Sequence, residues 1–132
     1  KTQIIALADY ATIAQDGKLS IMGIFDELYV KKFPGGLSRF FLVATIQGIP
    51  GKSYDLTIKL EYGSEKKSST NLKTAAAGHN GKNNIVMELV GIGFEKEGKY
   101  KFVVYHGDEE VGSTTLNVMY VGQIQNPVKM SN

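Results

Sequence analysis

Residues 54–62 (YDLTIKLEY) alternate apolar and polar side chains without a break, and residues 98–105 (GKYKFVVY) nearly repeat the pattern. A period of two turns one row of side chains into a core and the other toward water, as in a half-buried antiparallel strand. The same reading predicts strands over 3–10, 18–29, 40–47, 85–92, 99–106 and 111–121. Turn residues separate them: Gln15-Asp16-Gly17-Lys18, Ile49-Pro50-Gly51-Lys52, Glu95-Lys96-Glu97-Gly98 and Gly107-Asp108-Glu109. Asp16-Gly17 predicts a tight type I′ hairpin, because that turn needs positive φ angles.

The second strand departs from the pattern. Leu19, Ile21, Gly23 and Phe25 share one face, while Ser20, Met22, Ile24 and Asp26 share the other, so both faces are apolar at the centre. Such a strand is covered on both sides or lies at a contact between chains. Gly23 interrupts it and reads as a bulge. The polar stretch 63–84 is the least patterned, and reads as an insertion loop. Within it, residues 70–77 fit a short helix capped by Thr70 or an edge strand; irregular or edge strand is preferred. Lys66 and Lys67 would then guard an open edge.

About seven closely spaced strands joined by hairpins predict an all-β fold, a two-sheet immunoglobulin-like antiparallel sandwich. A small closed β-barrel is the competing architecture. Gly98-Lys99-Tyr100-Lys101-Phe102 has the spacing of a tyrosine corner, with Phe102 where antibody domains place their second cysteine. The acidic residue usual four positions before that tyrosine is replaced by Lys96. The expected organisation is one domain over 1–122, with a tail over 123–132.

Composition narrows the functions. At 132 residues and 42% hydrophobic content the chain suits one domain with its own core. The absence of cysteine excludes thiol catalysis, cysteine zinc sites and disulfides. The net charge of +2 is carried almost wholly by lysines, Arg39 being the single arginine, which argues against nucleic-acid binding. No apolar run approaches the roughly 20 residues of a membrane-spanning helix, so no membrane insertion is expected. The start at Lys1 leaves the compartment open: cytoplasm is slightly favoured, and export fits if an upstream signal was removed.

Two stretches resemble a family of short bacterial proteins to which no function has been assigned. One is Ala6-Leu7-Ala8-Asp9-Tyr10-Ala11 followed by residues 16–26 (DGKLSIMGIFD); the other is residues 94–100 (FEKEGKY) followed by Phe102-Val103-Val104 and residues 107–112 (GDEEVG). The resemblance runs over about the whole length, with residues 64–83 departing most. It implies a β-sandwich and a bacterial source, and supplies no activity.

Chemistry-bearing residues are sparse. His79 and His106 are the only histidines, and neither a Gly-x-Ser-x-Gly elbow nor a His-x-His pair is present. No cofactor or metal is called for. Asp9, Asp16, Asp26, Asp55, Asp108, Glu109 and Glu110 are oxygen ligands of the kind calcium takes, but lack its spacing. For Asp9 and Asp26 a structural role, accepting backbone N–H groups at strand ends, is preferred. Seven tyrosines without tryptophan make a poor sugar platform. Tyr29, Lys31, Lys32, Phe33, Arg39 and Phe40 form the densest aromatic and basic cluster. Of these, Tyr29, Lys31, Phe33 and Arg39 are the candidate partner-binding residues. The plainer reading has Phe33 and Phe40 plugging the sandwich end while the lysines face water.

The expectation is therefore a non-enzymatic binding or assembly module acting through a sheet face or an exposed strand edge. Its partner would be a second copy, as a homodimer, or another protein. The alternative is a sugar- or calcium-binding accessory domain of a cell-surface system, and a third reading is a small hydrolase built around a histidine.

Overall fold

A computed structural model of the chain describes residues 2–73 and 80–122. Among the described residues there are nine strands and no helix: β1 Thr2–Ile13, β2 Leu19–Phe25, β3 Glu27–Val30, β4 Arg39–Gln47, β5 Asp55–Tyr62, β6 Glu65–Lys73, β7 Lys82–Val90, β8 Gly98–His106 and β9 Glu109–Tyr120. They form two sheets, ordered β2-β1-β4-β7 (sheet I) and β3-β9-β8-β5-β6 (sheet II). All pairings are antiparallel except β3 with β9, which run parallel. The sheets do not join edge to edge, so the closed barrel is excluded.

Two elements raise the strand count above the expected seven. The segment 18–29 is not one strand. It pairs with β1 as far as Phe25, then crosses to the other sheet and runs beside β9 from Glu27 onward. The crossing is held by the Asp26 carbonyl, which accepts the Asn117 backbone N–H at 2.8 Å. The second addition is β6, inside the stretch read as a loop. Its backbone runs on the edge of sheet II up to Lys73, and the rest of the proposed 70–77 element lies outside the described residues. Tyr62 pairs with Glu65, so Gly63-Ser64 is a two-residue hairpin loop, with Gly63 at φ +60° as a type II′ turn requires. The Asp16-Gly17 turn also differs from expectation. Only Gly17 has positive φ there, and Ala14 bonds both Gly17 and Lys18, which makes it a type I turn followed by a left-handed glycine.

The core lies between the sheets. Leu7, Phe40, Leu42, Ala44 and Ile46 of sheet I meet Leu56, Ile58, Leu60, Tyr100, Phe102, Val104, Leu116 and Val118 of sheet II. The alternation in β5 and β8 thus does what its pattern predicts, and β4 is buried on both faces because it is central. Phe40 meets Phe102 across the core at 6.0 Å between ring centroids, nearly perpendicular, and Phe25 meets Phe40 at 5.8 Å. These edge-to-face contacts exploit the negative face and positive edge of each ring. Phe94 and Tyr62 close on Tyr100 at 4.7 and 4.6 Å.

Tyr100 forms the expected tyrosine corner. It is buried, and its O–H donates to the Lys96 carbonyl at 2.6 Å. The partner is backbone, so the missing acidic side chain at position 96 does not matter. With its sheet pairing, this corner makes the sandwich immunoglobulin-like. Replacing Tyr100 by Phe should therefore cost about 1 kcal/mol in urea unfolding, the typical net value of one such bond. Lys96→Ala should change stability by less than about 0.5 kcal/mol, as surface substitutions usually do. Equal losses from both would show that the side chain at 96, not its carbonyl, carries the corner.

Candidate interaction surface

Among the described residues the sandwich has four open edges, β2 and β7 in sheet I, and β3 and β6 in sheet II. An unpaired edge exposes backbone donors and acceptors, and proteins usually blunt it with charge, proline or brevity. Strand β3 has four residues and carries Glu27. Strand β6 contains Glu65, Lys66, Lys67 and Lys73. Strand β7 contains Lys82 and Glu88, and Glu88 binds Arg39 at 3.2 Å. Only β2 has neither charge nor proline from Leu19 to Phe25.

The side chains of β2 point two ways. Leu19 and Ile21 pack with Ala11, Phe41, Val43 and Val86 in a second apolar cluster. Phe41 and Val43 alternate with the core residues of β4, so this cluster sits on the outer face of sheet I. Tyr10 lies edge-on to Phe41 at 5.4 Å, and the Arg39 guanidinium lies 5.6 Å from that ring's centre. Met22 and Ile24 are not covered: they are 63% and 64% exposed. Met22 is the cross-strand partner of Tyr10, itself 44% exposed, and Ile24 that of Ala8. Of the two alternatives for this segment, coverage of both faces does not hold at Met22 and Ile24. Beside them an open cleft of about 250 Å³, lined by Leu7, Ile24, Phe25, Asp26 and Thr114 among others, marks where the chain leaves sheet I.

Gly23 shapes this edge. The β1–β2 ladder skips Asp9 and Gly23, and Gly23 has φ +72°. A Cβ there would run into the Asp9 carboxylate. The bulge expected at Gly23 is absent, since Ala8–Ile24 and Tyr10–Met22 keep one register; the glycine is instead required by its positive φ and by the Asp9 carboxylate packed against it. Asp9 and Asp26 do not play the roles expected of them. Neither carboxylate accepts a backbone N–H among the described residues; at Asp26 the carbonyl does so instead.

The outer face of sheet II is different in kind. Tyr105 donates to Glu61 at 3.0 Å, the Lys59 ammonium stands 4.8 Å from the Tyr105 ring centre, and Lys101 pairs with Glu110 at 3.8 Å. The hydrogen bond to Glu61 raises the Tyr105 pKa above its usual 10.0, aided by desolvation and the carboxylate charge. This surface is polar and paired within itself.

The candidate partner-binding residues are spread over the molecule. Leu28 and Val30 face the core, so Tyr29 points outward from sheet II, where its O–H donates to Glu27 at 2.9 Å. Lys31 is exposed just beyond β3. Phe33 is half-buried against the core, 5.9 Å from the Tyr120 ring, and Phe40 is a core residue, as the plugging reading has it. Arg39 stands on the outer face of sheet I. Tyr29 and Arg39 therefore lie on opposite sides of the sandwich. His106 is exposed, with Tyr54 edge-on at 5.3 Å, and His79 lies outside the described residues. Among the described residues no three acidic or histidine side chains converge as metal ligands would.

Fold and pairing define an immunoglobulin-like β-sandwich, and the comparisons with known proteins give its family. The family of unknown function DUF6941 matches residues 3–119, and the chain belongs to it. No curated protein matches the chain. Among solved structures, an immunoglobulin-like protein from Pseudomonas aeruginosa is similar at 13% identity, TM-score 0.45, over 87% of this chain and 91% of that one. A β-glucosidase from Listeria innocua, solved with glucose, is similar at 13% identity and TM-score 0.48, over 91% of this chain and 16% of that one.

Two outcomes follow from these contacts. Gly23→Ala should destabilise by about 1–2 kcal/mol from the left-handed backbone alone, with an added loss from the Asp9 contact. An Asp9→Ala background should recover only that added part, so a double-mutant cycle in urea should show coupling; strict additivity would mean the carboxylate does not pack on Gly23. In a spectrophotometric titration Tyr105 should ionise above 10.0, and Glu61→Gln should lower its midpoint. Since the folded value is the raised one, the associated stability is complete below pH 10.0 and is lost as pH rises through the folded value.

Proposed function

We propose that this protein is a non-enzymatic binding module that engages a protein partner through the β2 edge and the adjoining outer face of sheet I. The observation that carries this reading is the run of exposed apolar side chains Tyr10, Met22 and Ile24 along an edge with no charge to repel an added strand. A partner strand laid beside β2 would take up its free backbone groups, and apolar side chains of the partner would cover Met22 and Ile24. The combination resembles other strand-addition surfaces in physics: hydrogen bonds supply part of the affinity, and side-chain contacts supply the choice of partner.

The alternatives have less support. A sugar-binding face wants its aromatic rings together, whereas exposed Tyr10 and Tyr29 lie on opposite outer faces and Tyr120 stands against Phe33 at the sandwich end. A hydrolase built on His106 would need a carboxylate bonded to the ring. Glu109 is its cross-strand partner, but among the described residues no carboxylate bonds to His106, and the Tyr54 ring lies edge-on to it.

The test is a photo-crosslinking amino acid placed at Ile24, with Ser69 on β6 as the control, in the cells that make the protein. Adducts are expected from position 24 and not from position 69. No adduct at 24, or equal adducts at both, would overturn the reading.

A further inference from the structure

We infer that the partner of β2 is a second copy of this chain, joined by antiparallel pairing of the two β2 strands about a twofold axis at Met22. This rests on the reading just given and names the partner. Charge and register point to a second copy. Strand β2 is uncharged, but it is bracketed by Lys18 immediately before Leu19 and Asp26 immediately after Phe25. Both are exposed, and they stand at equal distance in sequence from Met22.

In an antiparallel self-pair centred on Met22, Leu19 lies opposite Phe25 of the other copy and Ser20 opposite Ile24. Lys18, just before the strand, thereby comes to the end where Asp26 of the other copy turns away toward sheet II. Both copies then make the same oppositely charged pair, which is what a twofold interface demands. Shifting the register either way breaks both pairs. Among the described residues Lys18 pairs only with Asp16, at 3.8 Å, and the Asp26 carboxylate has no partner. The central contact would join Met22 to Met22 and bring each Ile24 beside the other copy, covering the most exposed apolar side chains of the edge. The two copies of sheet I would become one continuous sheet.

Strand β7 shows why this is particular to β2. Its Lys82 and Glu88 are also symmetric, about Ile85, but Glu88 is already held by Arg39 of its own chain.

The experiment is sedimentation equilibrium on the purified full chain from micromolar to several hundred micromolar. A monomer–dimer equilibrium is expected. Ile24→Lys should weaken it at least tenfold, while Val90→Lys at the other edge of sheet I should leave it unchanged. Both side chains are already more than half exposed, so the fold should survive, checked by circular dichroism. Lys18→Asp and Asp26→Lys should each weaken the dimer, and the double variant, in which the pair re-forms with its signs exchanged, should restore it. A monomer throughout the range, or a dimer indifferent to Ile24→Lys and to the charge exchanges, would overturn the inference. If the chain is monomeric but position 24 still crosslinks to a protein of another mass, the binding reading stands and only the self-pairing falls. If there is neither dimer nor adduct, both fall.

Discussion

The sandwich depends on aromatic rings meeting between its sheets in a chain without cysteine. Phe40 of β4 and Phe102 of β8 touch where an immunoglobulin domain often has a disulfide, and Phe25 extends the contact to β2. A disulfide works mainly on the unfolded chain, whereas rings work by burial and by edge-to-face geometry in the folded one. Truncating a buried phenylalanine typically costs about 3–5 kcal/mol, against a total stability of about 5–15 kcal/mol for ordinary domains. Few such losses are tolerable. The inner rows of side chains are therefore fixed, and with period two so are the outer rows and the edges.

That constraint explains the position of β2. Phe25 is drawn into the core beside Phe40, and directly after it the chain changes sheets, with the Asp26 carbonyl accepting from Asn117. Sheet I therefore ends at a strand that is anchored by Phe25 and by the Leu19–Ile21 cluster, yet open along its length. Anchoring matters for binding, because an edge that is already ordered loses little conformational freedom when a partner strand arrives. The outer face of sheet II has charges too, but they pair with one another and leave no comparable apolar surface.

Much of this was legible in the chain. The alternation at 54–62 and 98–105 gave β5 and β8 almost to the residue, and the spacing around Tyr100 gave the corner, since both follow from local geometry. The break at Asp26 was not legible, because a change of sheet preserves the apolar pattern on either side. Strand β6 was hidden by its polar residues, although Gly63-Ser64 between Tyr62 and Glu65 is a hairpin signal. The apolar centre of 18–29 was correctly seen as unusual, but whether its faces are covered is a matter of packing that no pattern encodes. Tyr29 and Arg39, close in sequence, are turned to opposite outer faces by the connection between sheets, a separation that local pattern does not encode.

The most direct measurement is hydrogen–deuterium exchange of the purified chain at low and high concentration, comparing the edge strands β2 and β6. Self-pairing of β2 requires the amides of residues 19–25 to become better protected as concentration rises, while those of residues 65–73 exchange at an unchanged rate. Exchange in β2 that is independent of concentration would contradict it.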